Sequence, residues 1–314
     1  MKHGPWRLIF MGTPGFALPS LEAVLAGGEE VLAVVTQPDR PRGRGQRLSP
    51  PPVKELAFAW NLPVLQPQRL KDPAFLEQLA ALRPELIIVV AYGRLLPPGI
   101  LAVPSVGPLN VHASLLPKYR GAAPINWALI RGDRETGVTI QWMAAALDAG
   151  AIFLQERVPI LEEDNYGSLY QKLAEQGAAL LVQALEKLRR GEAIREPQAQ
   201  ANITFAPPIS REMRHLDWRL PAREVAGWIR GLDPTPGAYA LWQDQVLKLF
   251  GARVKRSEGT TAAPGLVLGM VDQGVEIACG QGAILVQELQ LAGHKRLKVA
   301  EFLRGHKLLK QVLD

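Results

Sequence analysis

Asn110 and His112 stand two residues apart in the run Leu109-Asn110-Val111-His112. On a strand, that spacing puts both side chains on one face. Asn offers an N–H donor and a carbonyl acceptor, and His offers a donor or a proton carrier near neutral pH. Together they suit polarising a carbonyl and moving a proton. Read alone, they also suit a turn asparagine and a hydrogen-bonded core histidine. Leu147-Asp148-Ala149-Gly150 adds a carboxylate among small apolar residues. It reads as a proton acceptor or as a plain Asp-x-Gly turn.

Three further stretches carry chemical potential. Ser114 to Pro124 is too irregular for helix or strand. Leu115 and Leu116 are costly to expose there unless they line an apolar pocket, and Lys118 and Arg120 suit anions. The alternative is a packed structural loop with solvated charges. Gly12-Thr13-Pro14-Gly15 sits at a strand-to-helix turn, where free N–H groups suit phosphate, and Asp39 falls near the place of a ribose-binding acid. The spacing is not Gly-x-Gly-x-x-Gly and Pro14 removes a donor, so a tight turn is the favoured reading. Asp39 to Arg47 carries Arg40, Arg42, Arg44 and Arg47 in a long connection. Such density suits phosphate contact, against a solvated loop.

The elements that must hold these residues follow from periodicity. Arg7–Met11, Val31–Thr36, Leu86–Ala91 and Leu109–Val111 read as strands, alternating with helices at Phe16–Ala26, Leu56–Trp60 and Pro73–Leu82. The unbroken apolar run at 86–91 is the mark of a strand covered on both faces. Val138–Met143 and Ile152–Val158 read as further strands and Tyr166–Leu188 as a long helix. This is a Rossmann-like α/β domain with a mostly parallel sheet. Ile194–Arg211 is polar and proline-bearing and reads as a linker. A helix at Pro221–Arg230 precedes five strand-like runs between Ala238 and Leu291, which suggests a small open β-barrel of the oligonucleotide-binding type. The predicted domains are 1–206 and 207–314.

Composition excludes other classes. The chain of 314 residues is 47% hydrophobic, enough to bury two cores and unlike a disordered chain. No apolar run reaches the ~18–20 residues of a membrane span, and the N-terminal residues lack the apolar region of a signal peptide, so the cytosol is the expected compartment. A single cysteine, Cys279, excludes an internal disulfide and a multi-cysteine zinc site. The net charge of +6 is concentrated in the arginine stretch and in Arg211–Asp314, where fifteen Lys/Arg face eleven Asp/Glu. That distribution points to an acidic partner such as nucleic acid.

Asn110-Val111-His112-Ala113-Ser114-Leu115-Leu116-Pro117-Lys118-Tyr119-Arg120-Gly121-Ala122-Ala123-Pro124-Ile125, with Thr136-Gly137-Val138-Thr139-Ile140 and Leu147-Asp148-x-Gly150, resembles the folate-dependent formyltransferases. Gly12-Thr13-Pro14, Thr36-Gln37-Pro38-Asp39-Arg40-Pro41 and the late β-domain resemble the members that formylate methionyl-initiator-tRNA, and the likeness covers essentially the whole chain. The resemblance implies 10-formyltetrahydrofolate as donor, no metal, no membrane partner and a monomer. It implies catalytic roles for Asn110, His112 and Asp148. Ser114, Leu115, Leu116 and Pro117 would border the folate, with Ala91, Tyr92, Gly93, Met143 and Ala146 in other folate segments. Arg40, Arg42, Arg44 and Arg47 would contact the tRNA acceptor end. The chain departs from the family pattern at Gly15, Asn126, Ala146 and Pro208. Two related expectations compete, formylation of an amino-sugar nucleotide and hydrolysis of formyl-folate; the arginine stretch and the basic second domain favour tRNA.

Overall fold

A computed structural model of the chain describes residues 4–42, 47–259 and 262–314. In chain order the first elements are β1 (Arg7–Gly12), α1 (Leu18–Ala26), β2 (Glu30–Val35), β3 (Arg40–Arg42), β4 (Arg47–Ser49), α2 (Pro52–Ala59), β5 (Val64–Leu65), α3 (Pro73–Ala81) and β6 (Leu86–Val90). There follow α4 (Pro98–Leu101), β7 (Gly107–His112), α5 (Pro124–Ile130), β8 (Glu135–Trp142), β9 (Ile152–Pro159) and α6 (Tyr166–Arg189).

The apolar runs form the centre of a seven-stranded sheet, in the order β5-β2-β1-β6-β7-β8-β9. The pairs from β5 to β7 are parallel and β7–β8 is antiparallel. All five residues of β6 and all six of β7 are buried, as a strand covered on both faces requires. From β1 the chain moves outward to β2 and β5, then returns to the other side of β1 to lay down β6 and β7. The order reverses between β1 and β6, and open α/β sheets present their sites outside the carboxyl ends of strands at such a point.

The remaining elements are α7 (Ala222–Leu232), β10 (Ala238–Trp242), β11 (Gln245–Arg256), β12 (Val267–Val271), β13 (Gly274–Ala278), β14 (Ala283–Leu291), β15 (Leu297–Lys298) and α8 (Val299–Gly305). The strands form an antiparallel sheet in the order β10-β11-β14-β13-β12, with β15 on β14. Residues 311–314 bridge its edges. Leu241 and Asp314 exchange two backbone hydrogen bonds beside β10, while Gly265 and Val267 beside β12 bond Leu313 and Gln311. Ala222, Val225, Ala226, Ile229 and Leu232, one face of α7, pack in the core of this barrel-like unit. β11 runs on past Phe250 to Arg256, with Gly251 at φ +63° within the strand donating its N–H to Asp233 (3.0 Å).

By compactness the first unit comprises residues up to 122 with 137–158 and 170–206, and the second comprises 123–136, 159–169 and 207–314. The second unit thus takes in α5, an element without a sequence signal because seven residues are too few for a periodicity. It packs on α7 through an edge-on Trp127–Trp228 pair and through Asn126, whose amide donates to the Gly231 carbonyl (2.7 Å). Among the described residues no helix is long and apolar enough to cross a membrane.

Candidate active site

The carboxyl ends of β1, β2 and β6 are tied together at the reversal point. Thr13 Oγ1 and Gln37 Nε2 both donate to the Tyr92 carbonyl, at 3.0 and 2.9 Å. The Gly12–Gly15 turn therefore spends its hydroxyl on a neighbouring loop, in line with a tight turn. Asp39 accepts from Lys54 Nζ (2.8 Å) and Gln66 Nε2 (2.9 Å). Those hydrogen bonds, Lys54 first, hold its carboxyl below the usual range, and the group is committed rather than free for a ribose.

Asn110 and His112 end β7 on one face, both buried. His112 Nε2 lies 3.0 Å from the Tyr119 carbonyl oxygen. A carbonyl only accepts, so Nε2 carries the hydrogen and the ring's free chemistry sits at Nδ1. Nδ1 faces Asp148 Oδ1 at 3.7 Å. Asp148 is held from three sides. Gly121 N–H donates to its Oδ2 (2.9 Å), Gln141 Nε2 donates to its Oδ1 (3.1 Å), and Gln198 Nε2 donates to its main-chain oxygen (2.8 Å). Its backbone is left-handed, φ +47°, a conformation that Asp tolerates better than most residues. Gly150 is required two residues on, since a Cβ there would meet the Trp142 carbonyl oxygen at 1.6 Å. No described group hydrogen-bonds the Asn110 side-chain amide. The sequence-predicted trio is thus brought together at the carboxyl edge of the sheet.

The loop after β7 is built, not slack. Thr139 Oγ1 donates to the Ser114 carbonyl (2.7 Å) and accepts from Leu116 N–H (3.2 Å), while Gln155 bonds the Leu116 carbonyl (2.8 Å). Ser114 is buried with its hydroxyl on the Lys118 carbonyl (2.6 Å), Leu116 is buried, and Leu115 and Pro117 are half-buried. Of the other expected folate residues, Ala91 and Gly93 are exposed at the end of β6, Ala146 is exposed and Met143 packs half-buried on the core. Tyr92 is buried; its hydroxyl lacks a hydrogen-bond partner among the described residues, and burial raises its pKa. Leu95 and Leu147, 61% and 53% exposed, are apolar groups left open in the same two segments.

The described ends of the arginine stretch are two short paired strands. β3 and β4 pair antiparallel, with Arg40 opposite Ser49 and Arg42 opposite Arg47. Arg40 Nη2 donates to Gln37 Oε1 (2.5 Å). Arg44 lies outside the described residues.

Sequence reasoning missed the supports. The segment read as a linker, from Ile194, runs bound along the first unit. Glu196 pairs with Ile152, Thr204 exchanges hydrogen bonds with Tyr119, Pro117 and Arg120, and Ala206 N–H bonds the Arg120 carbonyl. Within it, Gln198 also bonds the Gly150 carbonyl (2.7 Å) and accepts from buried Arg120 (3.0 and 2.6 Å). Gln141 had a signal of its own. Thr139 and Gln141 repeat, inside an apolar strand, the spacing of Asn110 and His112.

Residues 6–185 match a family model described as Formyl transferase, and 208–307 match Formyl transferase, C-terminal domain. The chain is 50% identical over 299 residues to a methionyl-tRNA formyltransferase of Pelotomaculum thermopropionicum, covering 95% of both proteins. It is 49% identical over 303 residues to one of Moorella thermoacetica, covering 96% of this chain and 97% of that one. Among solved structures it resembles HypX from Aquifex aeolicus in complex with tetrahydrofolic acid, with TM-score 0.65, 21% identity, and 96% of this chain and 47% of that one covered. It also resembles an N-formyltransferase from Helicobacter canadensis in complex with folinic acid and dTDP-3-aminofucose, with TM-score 0.68, 18% identity, and 90% and 98% covered.

Proposed function

The chain belongs to the formyl transferase family, and on that premise we propose that it moves the formyl group of 10-formyltetrahydrofolate onto the α-amino group of methionyl-initiator-tRNA. The observation that carries this reading is the convergence of Asn110, His112 and Asp148 at the carboxyl edge of the sheet, with the Asn110 amide unspent.

The residues at the edge suit a flat heteroaromatic carrier. The open Leu95 and Leu147 offer it apolar surface, and Ala91, Gly93 and Ala146 add little bulk. Ser114 to Pro117, Tyr92 and Met143 act as the walls behind that surface. When bound, the donor supplies a formyl carbon on an aryl-amine nitrogen. Asn110 then directs an amide N–H at the formyl oxygen, where negative charge develops as the amine attacks. His112 is oriented by the Tyr119 carbonyl. A proton at its Nδ1 makes a cation facing Asp148 and adds a positive charge beside Asn110. The acceptor amine must be neutral to attack; a free α-amino group has a pKa near ~8, so a usable fraction is neutral. The Asp148 carboxylate, oriented by Gly121 and Gln141, takes the proton that the attacking nitrogen sheds and gives it to the aryl-amine nitrogen as the bond from that nitrogen to the formyl carbon breaks.

Arg40, Arg42 and Arg47 of the paired strands β3 and β4, Arg44 from the sequence between them, and the basic second unit meet the tRNA phosphates. The protein works as a monomer, in the cytosol where translation starts. The direct test supplies the formyl-folate with methionyl-tRNA or with an amino-sugar nucleotide. Formyl transfer to methionyl-tRNA is expected. Transfer only to the sugar, or only hydrolysis of the donor, overturns the reading.

A further inference from the structure

We infer that Gln141 is a positioning residue of this site, steering Asp148 with its N–H end and Asn110 with its carbonyl end. The inference rests on the functional reading above and deepens it. Gln141 on β8 lies directly opposite Asn110 on β7, and His112 opposite Thr139. Directly opposed residues of an antiparallel pair share a face of the sheet. Gln141 Nε2 donates to Asp148 Oδ1, the same oxygen that faces His112 Nδ1. A carboxylate only accepts hydrogen bonds, so the amide cannot be turned round and its Oε1 points away from Asp148. That oxygen is buried and has no hydrogen-bond partner among the described residues.

A buried amide oxygen left without a donor is a cost that an apolar side chain of the same shape would not carry. The Asn110 amide, on the same face of the same strand pair, is the matching unspent donor. A hydrogen bond from Asn110 Nδ2 to Gln141 Oε1 satisfies both groups. It leaves the second N–H of Asn110 for the formyl oxygen. Gln141 then fixes the oxyanion donor and the proton acceptor relative to each other, without touching either substrate. The bond closes when the donor is bound and Asn110 takes up its working orientation.

The test compares the wild-type full chain with Gln141→Met, each alone and with Asp148→Ala. The readouts are single-turnover formyl transfer, tetrahydrofolate and tRNA affinity, and Tm. Gln141→Met is expected to slow transfer by about ten- to a hundredfold, with both affinities within about twofold and Tm unchanged or raised. With Asp148→Ala it is expected to cost less than in the wild-type background, because the share of the loss that acts through Asp148 is already gone and only the share that acts through Asn110 remains. Transfer at half the wild-type rate or better overturns the inference. So does an equal loss in both backgrounds, or a loss that follows a fall in Tm and folate affinity. If Gln141→Met does not fold, Gln141→Glu keeps the size and polarity but turns a carboxylate oxygen toward Asp148. It is expected to lose tenfold or more, and undiminished transfer overturns the inference. A wild-type chain inactive on methionyl-tRNA fails the functional reading and takes this inference with it; an active wild type with an unimpaired Gln141→Met fails the inference alone.

Discussion

His112 Nδ1 stands 3.7 Å from Asp148 Oδ1, beyond direct hydrogen-bond length. The ring is steered from its other nitrogen by the Tyr119 carbonyl, and the carboxylate by Gly121 and Gln141. Neither member of the pair therefore depends on the other for its position. Asp148 is left with lone pairs for a substrate proton, which suits a proton acceptor better than an orienter of His112.

The clamp on Asp148 sets the first expected outcome. Gln198→Leu removes the donor to the Asp148 and Gly150 carbonyls and strips buried Arg120 of its acceptor. A buried guanidinium left without its partner costs on the order of 3 kcal/mol. Chemical denaturation is expected to show that loss, and formyl transfer is expected to fall with it. A variant as stable and active as wild type contradicts the clamp.

Gly150→Ala is expected to be worse tolerated than an ordinary surface change. The Trp142 carbonyl oxygen occupies the place of the new methyl, so the turn carrying Asp148 must shift. A loss above about 2 kcal/mol in denaturation, together with slow turnover, is the expected result. A change within about 0.5 kcal/mol would show that the turn adapts freely.

The arginine stretch is expected to act through phosphates. Arg40→Ala combined with Arg42→Ala should weaken tRNA binding and lower the slope of log affinity against log salt by about one unit per lost contact. Folate affinity is expected to stay at the wild-type value. An unchanged slope assigns the stretch another task.

Cys279 carries a pH signature. Burial pushes its thiol from 9.0 up to about 12. Unfolded, the thiol ionises near 9, while the fold keeps it neutral. The stabilising contribution is full below pH 9 and is lost as pH rises from 9 toward 12, at up to about 1.4 kcal/mol per pH unit. Wild type is expected to lose more stability than Cys279→Ala between pH 8 and 10.5. Equal losses contradict this. The native thiol is also expected to resist alkylation until the chain unfolds.

Much of this site was legible in the sequence because its parts are local. The apolar run of β6 marks a central strand, and the spacing of Asn110 and His112 puts them on one face at a strand end. Gly150 after Asp148 marks the turn. The supports were not legible, because they depend on contacts distant in sequence. Gln198 lies 50 residues from Asp148 in chain order, in an extended segment whose hydrogen bonds go to an irregular loop and leave no periodicity. The Tyr119 carbonyl that fixes His112 is a backbone atom, which no residue type announces. The pairing of β3 and β4 was hidden by arginine, proline and glycine, residues that read as loop.

The most direct test of the account is formyl transfer from 10-formyltetrahydrofolate to methionyl-initiator-tRNA by wild type and Asn110→Ala. The account predicts transfer by wild type, a loss of about 10²–10³ in rate for Asn110→Ala, and nearly unchanged tRNA binding. Equal rates for the two proteins would contradict it.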